Sequence, residues 1–227
     1  MKIAVIGATG ETGRKVVERL LELDYEVVAV ARRPENIPAE QGLRIRQADV
    51  YDKAGLAEAV AGTDTVISCI GPSGRSAGSG RSKGVLDMMA ANFSPGTVMS
   101  EGIPNLLEAC RRTGVHRLVM QSGIGLSDGK ELAALDRFMI GLNRRVFSKA
   151  IKDKAAAEYA VQGSGLEWVI VRPAGLTKSP ATRDYTAGPS AHIAPFRPLS
   201  FADCADCLVR AAGSEPTWIG AVVNVGR

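Results

Sequence analysis

Residues 6–13 read IGATGETG and follow the apolar run KIAVI, with glycines at 7, 10 and 13. Such spacing after a strand and before an amphipathic helix allows specific chemistry. Gly7 permits a tight turn, Gly10 lets a phosphate approach the backbone, and Gly13 lets helix and strand pack closely. The N–H groups of the turn Thr9, Gly10, Glu11, Thr12 and Gly13 then face an anion with the positive end of the helix. The pattern implies a dinucleotide pyrophosphate. Where a second strand ends, EVVAVARRP places Arg32 and Arg33. An acid there would bind a ribose 2′-hydroxyl, whereas a guanidinium pairs with a 2′-phosphate, so NADP(H) is expected in preference to NAD(H).

Other reactive residue types yield less. FADCADCLV holds Cys204 and Cys207 in a C-x-x-C, which raises redox or zinc chemistry. A zinc site needs further ligands, and the chain has two histidines, His116 and His192. Ser200 is a candidate helix cap, and Cys204, Cys207 and Leu208 then share an apolar face, so core cysteines and no metal site are expected. His192 lies in a proline-rich stretch where it could act as an acid; His116 leads into a strand and reads as structural.

The elements that would position these residues alternate. Strands are expected at 2–6, 26–31, 43–47, 65–70, 117–121, 167–172 and 221–225. Helices are expected at 12–23, 53–61, 98–113, 132–162 and 202–212. Continuous Val/Ile/Leu strands imply a doubly wound, mostly parallel α/β sheet covered on both faces. The 227 residues then form one domain, 1–227. Two stretches break the pattern and are expected to cover a substrate, near 71–97 and 173–200. The first opens GPSGRSAGSGRSKG, a composition expected to be mobile, and the second holds five of the eleven prolines.

Composition narrows the function classes. Hydrophobic residues make up 45% and charged residues 23%, ordinary for a soluble domain, and no apolar run reaches a membrane span. The net charge of +4 is scattered in arginine pairs rather than gathered on one element, so no nucleic-acid partner is expected. The N-terminal run passes straight into the glycine turn without a leader pattern, and a cytoplasmic location is expected.

The combination of motifs resembles the extended and atypical members of the short-chain dehydrogenase/reductase superfamily. The carriers are G-x-x-G-x-x-G, Asp49-Val50 after the third strand, CIGP at 69–72, and SGLEWVIVRPAGL at 164–176 preceded by Lys154 and Glu158. Within that group it is similar to biliverdin-IXβ/flavin reductase-like and NmrA-like proteins. The resemblance implies that Asp49 and Val50 contact adenine, and that Ile70 and Gly71 line the adenosine ribose. It implies Ser122 at the acceptor, Lys154 on the nicotinamide ribose, and the backbone of Pro173, Ala174, Gly175 and Leu176 near the carboxamide.

The superfamily's proton-transferring tyrosine, four residues before the lysine, is missing. Ala150 stands in its place, and none of the tyrosines 25, 51, 159 and 185 has a lysine four residues on. Hydride transfer to a delocalised ring needs no protein acid, so a flavin, quinone or bilin acceptor is expected. The alternatives are a non-catalytic NmrA-like sensor of NADP(H) and, less favoured without the tyrosine, an epimerase or dehydratase. The expected partner is a small-molecule substrate, with neither nucleic acid nor membrane; a homo-oligomer is compatible with the sequence.

Overall fold

β-branched runs supply the strands and amphipathic stretches the helices. The computed structural model describes residues 1–71, 96–127, 141, 145, 147–194 and 196–227. In chain order these give β1 (Lys2–Ile6), α1 (Glu11–Glu22), β2 (Glu26–Ala31), β3 (Leu43–Gln47), α2 (Lys53–Val60), β4 (Thr65–Ser68), α3 (Val98–Thr113) and β5 (Arg117–Gln121). There follow α4 (Ser148–Gln162), β6 (Glu167–Pro173), β7 (Leu176–Thr177), β8 (Thr186–Gly188), β9 (Leu199–Ser200), α5 (Phe201–Ala212) and β10 (Ala221–Gly226).

Eight strands form one sheet in the order β3-β2-β1-β4-β5-β6-β10-β8, and only β8 runs antiparallel to its neighbour. Strand order reverses beside β1, where Ile6 lies between Val30 of β2 and Ser68 of β4. In open α/β sheets, ligands enter at the carboxyl end of the strands at such a switch point.

Alternate side chains of the strands feed two cores. Ile3, Val5, Ile67, Val119, Val171 and Val223 meet α1 and α5 on one face. Ala4, Ile6, Val66, Leu118, Met120 and Ile170 meet α2, α3 and α4 on the other. A parallel sheet covered on both faces needs nearly continuous apolar strands, and β4 is buried at all four residues.

Most boundaries fall within a residue of the sequence pattern, and the larger differences are these. β4 ends at Ser68, so Cys69 and Ile70 lie beyond the strand. The stretch 173–200 is not wholly irregular. Its β7 pairs with β9, and its β8 extends the sheet along β10, because residues between the prolines keep free donors for short ladders. Of the expected helix 132–162, the part from Ser148 onward is α4; residues 128–140, 142–144 and 146 lie outside the described residues, as do residues 72–95, which include all but Gly71 of the stretch 71–84 expected to be mobile.

A buried carboxylate ties the segment after β7 to the domain. Asp203, in the first turn of α5, is fully buried. It accepts hydrogen bonds from the Thr182 N–H at 3.0 Å, the Arg183 N–H at 2.8 Å and the Ser200 hydroxyl at 2.8 Å. Ser200 Oγ in turn accepts from the Asp203 N–H at 2.9 Å, which caps α5 as its sequence suggests. Arg183 adopts a left-handed backbone (φ 54°), a conformation those bonds hold in place. Asp203→Ala leaves two backbone donors and the hydroxyls of Ser200 and Thr182 without this acceptor. A loss of about 2–4 kcal/mol is expected in urea denaturation; a change under about 0.5 kcal/mol would show that the segment is held some other way.

Candidate active site

The glycine turn is built by close approach. Gly7 has φ +83°, and a Cβ there would lie 3.1 Å from the Cys69 carbonyl oxygen. Gly10 donates its N–H to the Gly7 carbonyl at 2.9 Å. A Cβ on Gly13 would fall 2.2 Å from that same oxygen, so no other residue fits. Gly10 is the cap residue of α1, extended and without a side chain to satisfy the helix's first N–H groups. That leaves the turn suited to an anion's oxygens. Thr12 and Gly13 are buried beneath the turn, Gly10 and Glu11 are exposed, and Thr9 lies between.

The neighbouring strand ends shape the adenosine side. Arg32 and Arg33 follow β2 and are both exposed. The Gln47 amide donates to the Arg32 carbonyl at 3.0 Å, fixing the backbone on which the two guanidinium groups are carried. Asp49 accepts the Tyr51 N–H at 3.1 Å and so shapes its own turn. Val50 is buried, with its carbonyl accepting from Asn105 Nδ2 at 3.0 Å.

Helix α3 comes unusually near here. A Cβ on Gly102 would stand 2.9 Å from Val50 Cγ2 and 3.5 Å from Ile70 Cδ1. Val50 and Ile70 thus form one apolar wall against α3, while a Cβ on Gly71 would meet only open space. Gly102 and Asn105 were not singled out from sequence. Their signal is two poor helix formers inside a strongly periodic helix.

At the far end of the site, Ser122 follows β5 and is buried, and its N–H donates to the Val171 carbonyl at 2.7 Å. Among the described residues its hydroxyl has no hydrogen-bond partner. It does not cap the following 3-10 turn, whose cap position is Gly123. A buried hydroxyl without a partner is costly unless a ligand completes it. Lys154 reaches the same corner: a Cβ on Gly123 would lie 3.2 Å from Lys154 Nζ. Burial lowers the Lys154 pKa, against the opposing charges of Glu158 and Asp153.

Two carboxylates fix the helix that carries this lysine. Asp153 is buried and accepts the N–H groups of Met99 at 3.2 Å and Ser100 at 2.8 Å, capping α3 from α4. Glu158 is buried and takes Arg172 of β6 in a two-point pair, at 3.0 and 2.5 Å. The geometry is the strong, planar form of that interaction. Ala150, one turn before Lys154, is buried, so no phenol faces the site from this position.

The run after β6 borders the same edge. Pro173 ends the strand and Ala174 donates its N–H to the Val225 carbonyl at 2.9 Å. The exposed Gly175 accepts from the Leu199 N–H at 2.8 Å, and Leu176 opens β7. Ile193 packs with Ile124 and Ala174, which brings the proline-rich stretch to this corner. His192 is exposed beside Ile193.

The remaining reactive residues fall elsewhere. Tyr185 donates to Asp206 at 2.6 Å and meets Arg210 of α5, across the sheet from Lys154. Cys204 and Cys207 are fully buried in the core beside α5, and burial raises both thiols, Cys207 to about 12. Among the described residues no cluster of three metal-ligating side chains occurs, and no helix is long and apolar enough to cross a membrane.

Comparison with known proteins shows the fold and the family. An uncharacterized chloroplastic protein of Arabidopsis thaliana is 31% identical over 193 residues, covering 83% of this chain, which spans 64% of that protein's length. The ChuY anaerobilin reductase of Escherichia coli O157:H7 has the same fold, with a TM-score of 0.75 at 20% identity over 100% of this chain and 97% of that one. A short-chain dehydrogenase/reductase of Veillonella parvula, solved with NADP, also gives 0.75, at 18% identity over 100% and 94%. The model of a family described as NAD(P)H-binding matches residues 7–215, and this Rossmann-type chain belongs to that NAD(P)H-binding family.

Proposed function

We propose that the protein is an NADPH-dependent reductase of a conjugated small-molecule acceptor of the flavin, quinone or bilin type. The observation that carries this reading is the corner where Ser122 and Lys154 meet while buried Ala150 replaces the phenol. When bound, NADPH supplies the hydride. The glycine turn holds its pyrophosphate, Arg32 and Arg33 take the 2′-phosphate, and the Val50–Ile70 wall receives the adenosine. Lys154, as an ammonium, holds the ribose hydroxyls. The Ser122 hydroxyl, without a partner among the described residues, orients the acceptor. The acceptor's delocalised ring carries the added charge until water protonates it, so orientation provides most of the rate. The fold shared with a bilin reductase supports this class of acceptor.

Mixing the protein with NADPH and a panel of flavins, quinones and bilins tests the proposal. Turnover is expected with at least one of them; tight binding with no oxidation would instead assign a sensor of the NmrA-like kind. Ser122→Ala is expected to lose about tenfold or less in turnover, whereas removing a general acid costs about 10²–10⁴-fold. A thousandfold loss in Ser122→Ala or His192→Ala, with NADPH affinity unchanged, would contradict the mechanism.

Cofactor choice has its own test. Arg32→Ala should cost about 1.5–3 kcal/mol in NADPH affinity and little in NADH affinity. Equal affinities of the wild type for both would contradict the assignment.

The lysine gives a pH dependence of definite sign. The protonated form binds the ribose, and burial lowers its pKa, so affinity should fall at a pH below that of an exposed lysine. Titrations of NADPH from about pH 7 to 10 should show this fall in wild type and not in Lys154→Met. An identical alkaline fall in both proteins would place the titrating group elsewhere.

A further inference from the structure

An acid stands where the family cofactor needs positive potential. Glu11 immediately follows the Gly10 cap and belongs to the first turn of α1. A carboxylate there favours the helix itself, but competes with an anionic ligand for the same positive end. The structure answers this charge with a specific cation. Lys178 Nζ lies 2.8 Å from Glu11 Oε1, both side chains about half exposed.

Lys178 is not held there by chance of a loose loop. It follows β7 directly, and β7 is paired with β9. Four and five residues later, Thr182 and Arg183 are fastened to buried Asp203. The segment between these anchors crosses α1 above a groove of about 460 Å³. It touches the helix ends through Lys178–Glu11 and, more loosely at 3.9 Å, Arg183–Glu22. Within the groove, Lys15 and Arg19 are already paired to Glu18, Glu22 and Asp206.

We propose that Lys178 is an affinity residue for the dinucleotide that acts through Glu11, cancelling the carboxylate that stands in the pyrophosphate turn. It rests on the family's NAD(P)H binding and is independent of the acceptor. The pair lies in solvent, so its worth as a stabilising contact is small. Its effect is on the potential felt by a multiply charged anion bound within one helical turn. Unbalanced, Glu11 repels the phosphates; balanced, it is neutral toward them.

The charge account requires opposite signs from the two halves of one contact. NADPH is titrated into the full chain as wild type, Lys178→Met, Glu11→Gln and the double variant, at low and high salt. Lys178→Met is expected to weaken NADPH about three- to tenfold at low salt, with the loss shrinking at high salt. Glu11→Gln should tighten binding by a similar factor, and the double variant, neutral at this place like the intact pair, should lie near wild type. Equal weakening by both single variants would mean that the contact merely props the turn, and would overturn the proposal. An unchanged Kd in Lys178→Met would overturn it as well. Wild type binding neither NADPH nor NADH would overturn it together with the cofactor itself.

Discussion

The contact between Gly13 and the Gly7 carbonyl governs the rest of the molecule. A Cβ at 13 would lie 2.2 Å from that oxygen, so α1 can start only one way relative to β1. With that start fixed, the first N–H groups of α1 open toward the switch point between β2 and β4. The turn, the Arg32–Arg33 corner and the Val50–Ile70 wall then stand at the strand ends around that switch point, where the proposed dinucleotide would lie. The same packing that stabilises the fold therefore creates the binding site.

The second half of the site depends on buried carboxylates spent on positioning. Asp153 caps α3 from α4, Glu158 clamps Arg172 of β6, and Asp203 anchors the segment after β7. None of these oxygens is directed to proton transfer. Each carboxylate accepts from N–H donors, and Asp203 from hydroxyls as well, which is how a buried acid avoids an uncompensated charge. Among the described residues at this corner, an ammonium at Lys154 and an unpartnered hydroxyl at Ser122 are left for a ligand. Such a set can hold and orient, and it suits a reaction whose acceptor disperses charge by itself.

Much of this was legible in the sequence because it is local. Apolar runs set the strands, Val16, Val17 and Leu20 set the inner face of α1, and the glycine spacing set the turn. Ser200 was recognisable as a cap from its own neighbours. The missed features are long-range. Asp153 binds N–H groups 53 and 54 residues away, and nothing in the local pattern announces it. The Glu158–Arg172 pair was visible only as motif residues without a stated contact. The short strands β7, β8 and β9 were hidden by prolines, whose usual meaning is irregular chain. The close approach of α3 at Gly102 depends on Val50 and Ile70 from two other elements.

The central claim is that this site delivers hydride to a conjugated ring without a dedicated protein acid. Its most direct measurement is single-turnover oxidation of NADPH deuterated separately at the two faces of nicotinamide C4, with the best flavin, quinone or bilin acceptor. The account expects enzyme-dependent oxidation that slows for deuterium on one face only, as a fixed nicotinamide orientation in the site requires. Bound NADPH that persists unoxidised with every acceptor, or oxidation insensitive to deuterium on both faces under rate-limiting transfer, would contradict it.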